Sequence, residues 1–297
     1  MISIIITGRN DDHGGGFQSR LMNALFFNLK NLKEFNIDHE LIFVEWNALP
    51  NKDPLSFNLP TEVKCIIVDP LLHRWLSGNK FIEFYEYFAK NVGASHSHGD
   101  FILFTNAEIM FGLEILNHLK EPLDTNTLYR SPRIDLKRSF PNDFDFSTLT
   151  NKSFWLCENP MAEPPHTNAS GDFALCHRSL VEKCGGYDEA IRFSSTRQDG
   201  RFVHRIYRMC GRCKIIGQVF HVDHDRPRAV NPKELACGPC WTYTNNIEYS
   251  NGPDWGFRDI THAEQNGNIT RLFLNTNLID QAKSRTVPYP DIPKIFQ

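Results

Sequence analysis

The run Ile2-Ser3-Ile4-Ile5-Ile6 constrains the fold most, because its β-branched residues lack the polar alternation of a half-exposed strand. Such a run is typical of a strand that is buried on both faces in a sheet covered by helices. Similar apolar runs lie at 41–44, 65–68 and 101–104. Apolar residues at helical spacing separate them, between 21 and 32 and between 81 and 88. This alternation predicts an α/β fold with a mostly parallel central sheet flanked by helices.

The pattern changes after Glu108. Residues 121–170 hold several Pro, Asn and Asp residues, which predicts a loop-rich segment over the sheet, where a substrate would be held. Helical patterns return at 179–184 and 198–210, and 214–222 predicts one strand. The tail after Pro227 shows little periodicity, so we expect an irregular C-terminal extension over 229–297.

Charge and composition exclude several classes of protein. Lysine and arginine total 32, and aspartate and glutamate total 35, so there is no basic excess for nucleic-acid binding. No apolar run approaches the roughly 18–20 residues that a membrane-spanning helix needs, and no signal-peptide pattern begins the chain. We therefore expect a cytoplasmic location, in which the eight cysteines would be reduced thiols.

Three polar clusters follow predicted strands, at 7–16, 45–47 and 105–108. Ligands of such sheets bind beyond the carboxyl ends of the strands, so we expect the clusters to share one edge. Gly14-Gly15-Gly16 precedes the first helix, where backbone N–H groups favour a phosphate. The segment is neither a dinucleotide fingerprint nor a P-loop, and an ordinary turn between strand and helix remains the alternative.

Glu108, His221 and His224 are candidate metal ligands. A carboxylate with two imidazoles suits Mn²⁺ or a similar ion. Residues three apart on a straight strand face opposite ways, so the chain must bend for both histidines to bind. The alternatives are a solvated acid and two surface or hydrogen-bonding histidines.

Asp199 lies near the start of a predicted helix. A carboxylate there is either a helix cap or a general base held in a cleft, and the sequence leaves both readings open.

Taken together, these segments resemble the GT-A glycosyltransferases, and most closely the catalytic domain of the β-1,4-galactosyltransferase type. The resemblance covers roughly 1–110 and 168–228. The first Asp of the D-x-D motif of the family is replaced by Asn and the second by Glu, and the W-G-x-E-D segment retains only its Asp. The matching segments are 2–11 for the first strand and nucleotide loop, 89–93 for N-x-G, Asn106-Ala107-Glu108 for D-x-D, 170–175 and 185–187 for the two glycine motifs, Gln198-Asp199 with Arg205 for E-D and its Arg, and 221–226 for M-x-x-H with S-R.

The resemblance implies a metal-dependent transfer of a sugar from a nucleoside-diphosphate sugar to an acceptor hydroxyl of a glycan. Mn²⁺ or Mg²⁺ would be held by Glu108, His221 and His224, and Asp199 would be the base of an inverting displacement. Gly171 and Asp172 would touch the sugar or the acceptor. The implied donor contacts are Thr7, Arg9, Asp11, Glu45, Asn91 and Asn106. Residues 1–110 would form the nucleotide-sugar-binding half, and 111–228 the acceptor and catalytic half of the same domain.

Two cysteine pairs support a separate interpretation. Cys210 and Cys213 precede Cys237 and Cys240, a spacing compatible with a structural Zn²⁺, with a redox dithiol, with free thiols or with a disulfide. A zinc or thiol protein is therefore one alternative function. The others are a sugar-nucleotide or glycan-binding scaffold without turnover and a nucleotidyltransferase, which would release pyrophosphate.

Overall fold

The computed structural model describes residues 1–77, 79, 81–161, 163–192, 198–225, 251, 254–275 and 277. The strands are Ile2–Gly8 (β1), His39–Trp46 (β2), Lys64–Val68 (β3), Phe101–Phe104 (β4), Ile109–Phe111 (β5), Leu128–Arg130 (β6), Arg133–Leu136 (β7), Trp155–Asn159 (β8), Ala174–His177 (β9), Cys213–Ile215 (β10), Val219–Val222 (β11), Thr261–Asn266 (β12) and Ile269–Leu274 (β13). The α-helices are Phe17–Glu34 (α1), Pro70–Leu76 (α2), Glu86–Ser95 (α3), Leu113–Leu119 (α4), Phe146–Thr150 (α5), Arg178–Cys184 (α6) and Gln198–Cys210 (α7).

The central sheet has nine strands in the order β10-β6-β9-β4-β1-β2-β3-β13-β12. β4, β1, β2, β3 and β13 run parallel to one another, whereas β9 and β12 are antiparallel to their neighbours. The predicted α/β fold with a mostly parallel central sheet is therefore confirmed. A second sheet has the order β5-β11-β7-β8 and lies beyond the carboxyl end of β4.

The first strand is buried on both faces, as its sequence predicts. Ile5 packs on the side of α3 and α7, together with Val92 and Phe202. Ile4 and Ile6 pack on the opposite side, against α1. Helix α3 lies so close to β1 that a Cβ at Gly93 would be 2.5 Å from the Ile5 side chain. This approach explains the glycine of the N-x-G segment.

Three expectations about individual strands, helices and loops need correction, and a fourth concerns the tail. The predicted strand 214–222 is two strands in different sheets, because the chain turns at Gly217, where φ is +61°. The loop-rich segment 121–170 contains β6, β7, α5 and β8, whose short strands lack a long apolar run. The stripe at 81–88 contributes to a helix only from Glu86 onward.

The tail is not irregular over 254–275. There β12 and β13 form a hairpin with the two-residue turn Gly267-Asn268, and β13 pairs in parallel with β3. Gly-Asn between two strands is a hairpin signal, but the polar, exposed β12 gives no apolar alternation to accompany it. The predicted division at 229 therefore separates strands of one sheet.

Candidate active site

Glu108, His221 and His224 converge on one point beyond the central sheet. Their ligand atoms all lie within 4.8 Å of one another. Glu108 Oε1 is 2.8 Å from His224 Nε2 and 3.4 Å from His221 Nε2. The three groups are largely buried, with His221 5% and His224 8% exposed. An acid and two imidazoles that are distant in sequence thus form one cluster.

Strand pairing produces this convergence. Glu108 directly precedes β5, whose Ile109 is paired with His221 of β11 in an antiparallel ladder. β11 ends at Val222, so His224 lies beyond the strand and can turn its ring toward the same point. The bend that the histidine spacing requires is therefore present.

The glycine-rich loop packs directly on the cluster. A Cβ at Gly14, where φ is +70°, would clash with the ring of His224 and the carbonyl of Asp225. The ring of His13 lies 5.6 Å from that of His224, centroid to centroid. The glycine thus permits a close approach to the histidine.

Two groups missed by the sequence analysis hold the cluster in place. Asp135 Oδ1 lies 2.9 Å from His221 Nδ1, so Nε2 of that ring faces Glu108. Arg20 Nε donates to Glu108 Oε2 at 2.6 Å, which leaves Oε1 facing the histidines. Arg20 also donates to the carbonyls of His13 and Gly15 and so joins the glycine-rich loop to the cluster.

The pKa shifts of Glu108 and His221 are those expected for an acid and a base in direct contact. Burial by itself would raise the pKa of Glu108, but the hydrogen bonds with His221 and His224 hold it well below its usual range. Burial would lower the pKa of His221, whereas Asp135 and Glu108 raise it to about 9. An anionic carboxylate and two imidazole nitrogens are a donor set that fits a divalent transition-metal ion such as Mn²⁺.

A cavity of about 190 Å³ adjoins the cluster and shares Glu108 with it. Four of the predicted donor contacts line this cavity: Thr7, Arg9, Asp11 and Asn106. Phe84 and Glu86, which the sequence analysis did not single out, line it as well. Arg9 is held by Asp11 at 2.9 Å and by Glu83 at 2.5 Å. The cavity thus combines an aromatic ring with charged and amide groups.

The structure does not bring Glu45 and Asn91 to this cavity. Glu45 is fully buried, and its carboxylate accepts hydrogen bonds from Leu55 N and from the N–H and hydroxyl of Ser56. Asn91 bonds to both backbone N and O of Tyr187 and so fixes the chain near 187. Both residues stabilise loops around the site. The position of a polar residue at a strand end does not reveal by itself whether its side chain points into the cavity or bonds to a neighbouring loop.

A second polar network joins the remaining predicted residues. Lys90 Nζ lies 3.0 Å from Asp199 Oδ1 and 3.3 Å from both Asn106 Oδ1 and Gly171 O. Asn106 Nδ2 donates to Asp172 Oδ1 at 2.8 Å. Asn106 is thus an amide bridge between an ammonium and a carboxylate, a role that an aspartate could not perform.

Asp172 is buried and paired with Arg133 at 2.8 Å, another residue that the sequence analysis missed. Arg133 also lies 3.1 Å from Asp135, so it connects the Asp172 network with the support of His221. The alternation Arg133-x-Asp135 on β7, with both side chains on one face, is the sequence signal that could have indicated this pair.

Gly171 allows the close packing of Asp199. A Cβ at Gly171 would lie 2.9 Å from Asp199 Oδ2. Asp199 is in the first turn of α7, and its Oδ1 accepts from the Tyr187 hydroxyl at 3.1 Å. The carboxylate is therefore held by tertiary contacts from α3 and from the segment before α7.

The described cysteines show no clustered zinc ligands. Cys210 is buried at the end of α7 and its Sγ lies 3.2 Å from Arg212 O. Cys213 is in β10, and burial raises the pKa of its thiol to about 11. Cys237 and Cys240 lie outside the described residues. The predicted zinc site is unsupported.

Comparisons with known proteins find no matching family model and no matching curated protein. Solved structures of similar fold include TarS of S. aureus, with 12% identity and a TM-score of 0.45. A mannosyltransferase of Pyrobaculum calidifontis, solved with GDP-Man and Mn²⁺, has 16% identity and a TM-score of 0.46. The catalytic domain of Drosophila β1,4-galactosyltransferase 7, solved with xylobiose, has 12% identity and a TM-score of 0.45.

The alignments differ in extent. They cover 75%, 86% and 95% of this chain and 36%, 66% and 97% of the three proteins, in the same order. The chain thus spans only about a third of the length of TarS. The second and third of these proteins are named as glycosyltransferases, the class that the sequence resembles, and the likeness concerns the fold.

Among the described residues, no helix combines the length and the apolar character that crossing a bilayer would require.

Proposed function

We propose that this protein is a metal-dependent glycosyltransferase that moves a sugar from a nucleoside-diphosphate sugar to an acceptor hydroxyl of a glycan or glycoconjugate. The observation that carries the proposal is the convergence of Glu108, His221 and His224 beside a cavity lined by Arg9, Asp11 and other polar groups. The cluster lies beyond the carboxyl ends of parallel strands, where ligands of such sheets bind.

The residues divide into three roles in this proposal. Thr7, Arg9 and Asp11 bind the nucleotide, and Asn106 contributes to the same cavity. Glu108, His221 and His224 hold Mn²⁺ or Mg²⁺. The bound cation would neutralise the charge that develops on the diphosphate as it leaves.

Asp199 is proposed as the base. Its carboxylate accepts the proton of the acceptor hydroxyl while that oxygen bonds to the anomeric carbon and the bond to the diphosphate breaks. A single displacement of this kind inverts the configuration. Gly171 and Asp172 lie next to Asp199 and Asn106, where the sugar and the acceptor would meet.

A thermal-shift screen with nucleoside-diphosphate sugars tests donor binding. The favoured donor should raise Tm in the presence of Mn²⁺. A free donor concentration of 100 times Kd stabilises the folded state by about 2.7 kcal/mol. Glu108→Gln should lose the Mn²⁺-dependent part of the shift. Glu114→Gln, an exposed change on α4, is the matched control and should retain it.

Release of nucleoside diphosphate in the presence of glycan acceptors then tests transfer. A protein that binds the donor but releases no diphosphate with any acceptor would be a binding scaffold, and release of pyrophosphate would indicate a nucleotidyltransferase. The absence of any Mn²⁺-dependent shift in the unmodified protein would contradict the proposal as a whole.

A further inference from the structure

Lys90 of α3 is fully buried between two carboxylates. Its Nζ lies 2.5 Å from Glu86 Oε1, one helical turn earlier, and 3.0 Å from Asp199 Oδ1 on α7. Burying an ammonium group is costly unless it is paired and hydrogen-bonded. The two ion pairs and the contacts with Asn106 and Gly171 meet that requirement.

The contacts favour one orientation of Asp199. Lys90 and the Tyr187 hydroxyl, at 3.1 Å, both donate to Oδ1. The other oxygen, Oδ2, is packed beside Gly171. A carboxylate held through one oxygen by two buried donors has little freedom to rotate, so its second oxygen keeps a fixed position.

Glu86 is the second carboxylate that forms an ion pair with Lys90. It is on the same helix, lines the cavity next to Glu108 and is less buried than Lys90. The two carboxylates repel each other, and the ammonium group of Lys90 between them offsets this repulsion.

We propose that Lys90 is a positioning residue for Asp199, whose negative charge it pairs and whose orientation it fixes, while Glu86 competes for the same ammonium group. The inference rests on the proposed function, in which Asp199 accepts the proton of the acceptor hydroxyl. Lys90 acts through Asp199 and does not itself touch the substrate in this proposal.

Other charged groups surround the pair and define the electrostatic setting. Asp199 favours the charged form of Arg130 on β6, and Asp172 disfavours the ionised form of Glu86. Tyr187 has a pKa raised well above its usual value by burial and by Asp199, so it stays a hydroxyl donor. Lys90 forms an ion pair with each of the two carboxylates.

The test is the pH profile of kcat/KM for sugar transfer, whose acid limb reports the ionisation of the base. Lys90→Met removes the positive charge and should move the acid limb up by about one pH unit or more. Glu86→Gln removes the competing carboxylate and should move the limb down. Lys30→Met, which removes an exposed ion pair with Glu34 on α1, should leave the profile unchanged.

Opposite shifts in the two variants are the result that a merely structural role would not give. The double variant Glu86→Gln/Lys90→Met removes one charge of each sign, so we expect it to fold even if Lys90→Met fails to fold. Its acid limb should fall between those of the two single variants. An acid limb that does not move in Glu86→Gln, or that coincides in Glu86→Gln and in the double variant, would overturn the inference.

A readout without turnover separates this inference from the proposed function. ¹³C NMR of aspartate-labelled protein, with Asp199→Asn to assign the resonance, should show the Asp199 carboxyl titrating lower in Glu86→Gln and higher in the double variant than in Glu86→Gln. If no donor supports transfer, the proposed function fails, whereas these titrations still decide the role of Lys90. Coincident titrations in all variants would refute it.

Discussion

Asp135 fixes the ring of His221, with Oδ1 2.9 Å from Nδ1. The contact decides which nitrogen faces Glu108, because Nδ1–H donates to the carboxylate and Nε2 is left for a metal ion. Carboxylates that orient ligating histidines in this way raise metal affinity without touching the metal.

Asp135→Asn should therefore weaken Mn²⁺ binding about 10- to 100-fold. Isothermal titration or electron paramagnetic resonance of free Mn²⁺ measures the affinity. Glu158→Gln, an exposed change on the neighbouring strand β8, is the matched control and should bind as the unmodified protein does. Equal affinities of Asp135→Asn and the control would contradict a role of Asp135 in metal binding.

Asn106→Asp should destabilise the fold and should not strengthen metal binding. Asn106 donates to Asp172 at 2.8 Å and accepts from Lys90, so an aspartate would lose the donor and face a second carboxylate. The lost hydrogen bond to a charged group is worth about 1.5–3 kcal/mol. Urea unfolding measures the loss, with the exposed Asn58→Asp as control.

Mn²⁺ titration of the same variant checks the second part. A clear gain in affinity in Asn106→Asp would show that position 106 can reach the metal, which is inconsistent with the contacts of its amide.

Gly171→Ala should reduce kcat while donor binding persists. The added Cβ would lie 2.9 Å from Asp199 Oδ2 and would displace the carboxylate. A displacement of a catalytic group by about 1 Å can cost about 100-fold in rate, so we expect a loss of about 10- to 100-fold. Gly200→Ala, whose Cβ would meet its nearest atom at 3.7 Å, is the control and should keep its activity.

The thermal shift with donor and Mn²⁺ distinguishes a loss of donor binding from a loss of catalysis in Gly171→Ala. A variant that retains both the shift and full kcat would place the base elsewhere.

Glu189 should make the protein less stable as the pH rises. Burial raises the pKa of this half-buried carboxyl from 4.5 to about 7, despite hydrogen bonds from Gly256 N and Asn91. The folded state therefore binds the proton more tightly than the unfolded chain. Its contribution to stability is fully present below about pH 4.5, is lost as the pH rises toward 7 and is constant above that, a total of at most about 3 kcal/mol.

Glu189→Gln removes this dependence. The free energy of unfolding of the variant relative to the unmodified protein should increase between pH 5 and 8, as measured by urea unfolding. Glu182→Gln, an exposed change on α6, should show no such trend. A parallel course of Glu189→Gln and the control would show that Glu189 is ionised in the folded protein at pH 5.

The sequence predicted the strands and the first helix of the first hundred residues well, because long β-branched runs and helical stripes specify burial directly. It did not predict α2, and it placed the start of α3 too early. Ile2–Gly8 and Phe101–Phe104 lie where the runs predict them. The sequence also singled out Glu108, His221 and His224, because the order and spacing of their segments resemble those of the GT-A glycosyltransferases.

Tertiary structure decided what surrounds those residues. Arg20, Lys90 and Asp135 are ordinary members of two helices and a strand, and only packing brings them to Glu108, Asp199 and His221. Glu45 satisfied the same sequence criterion as Glu108, yet its carboxylate is used within its own loop. Local sequence determines which segments are buried, whereas the direction and partner of a polar side chain depend on which distant strands pair and which helices cover them.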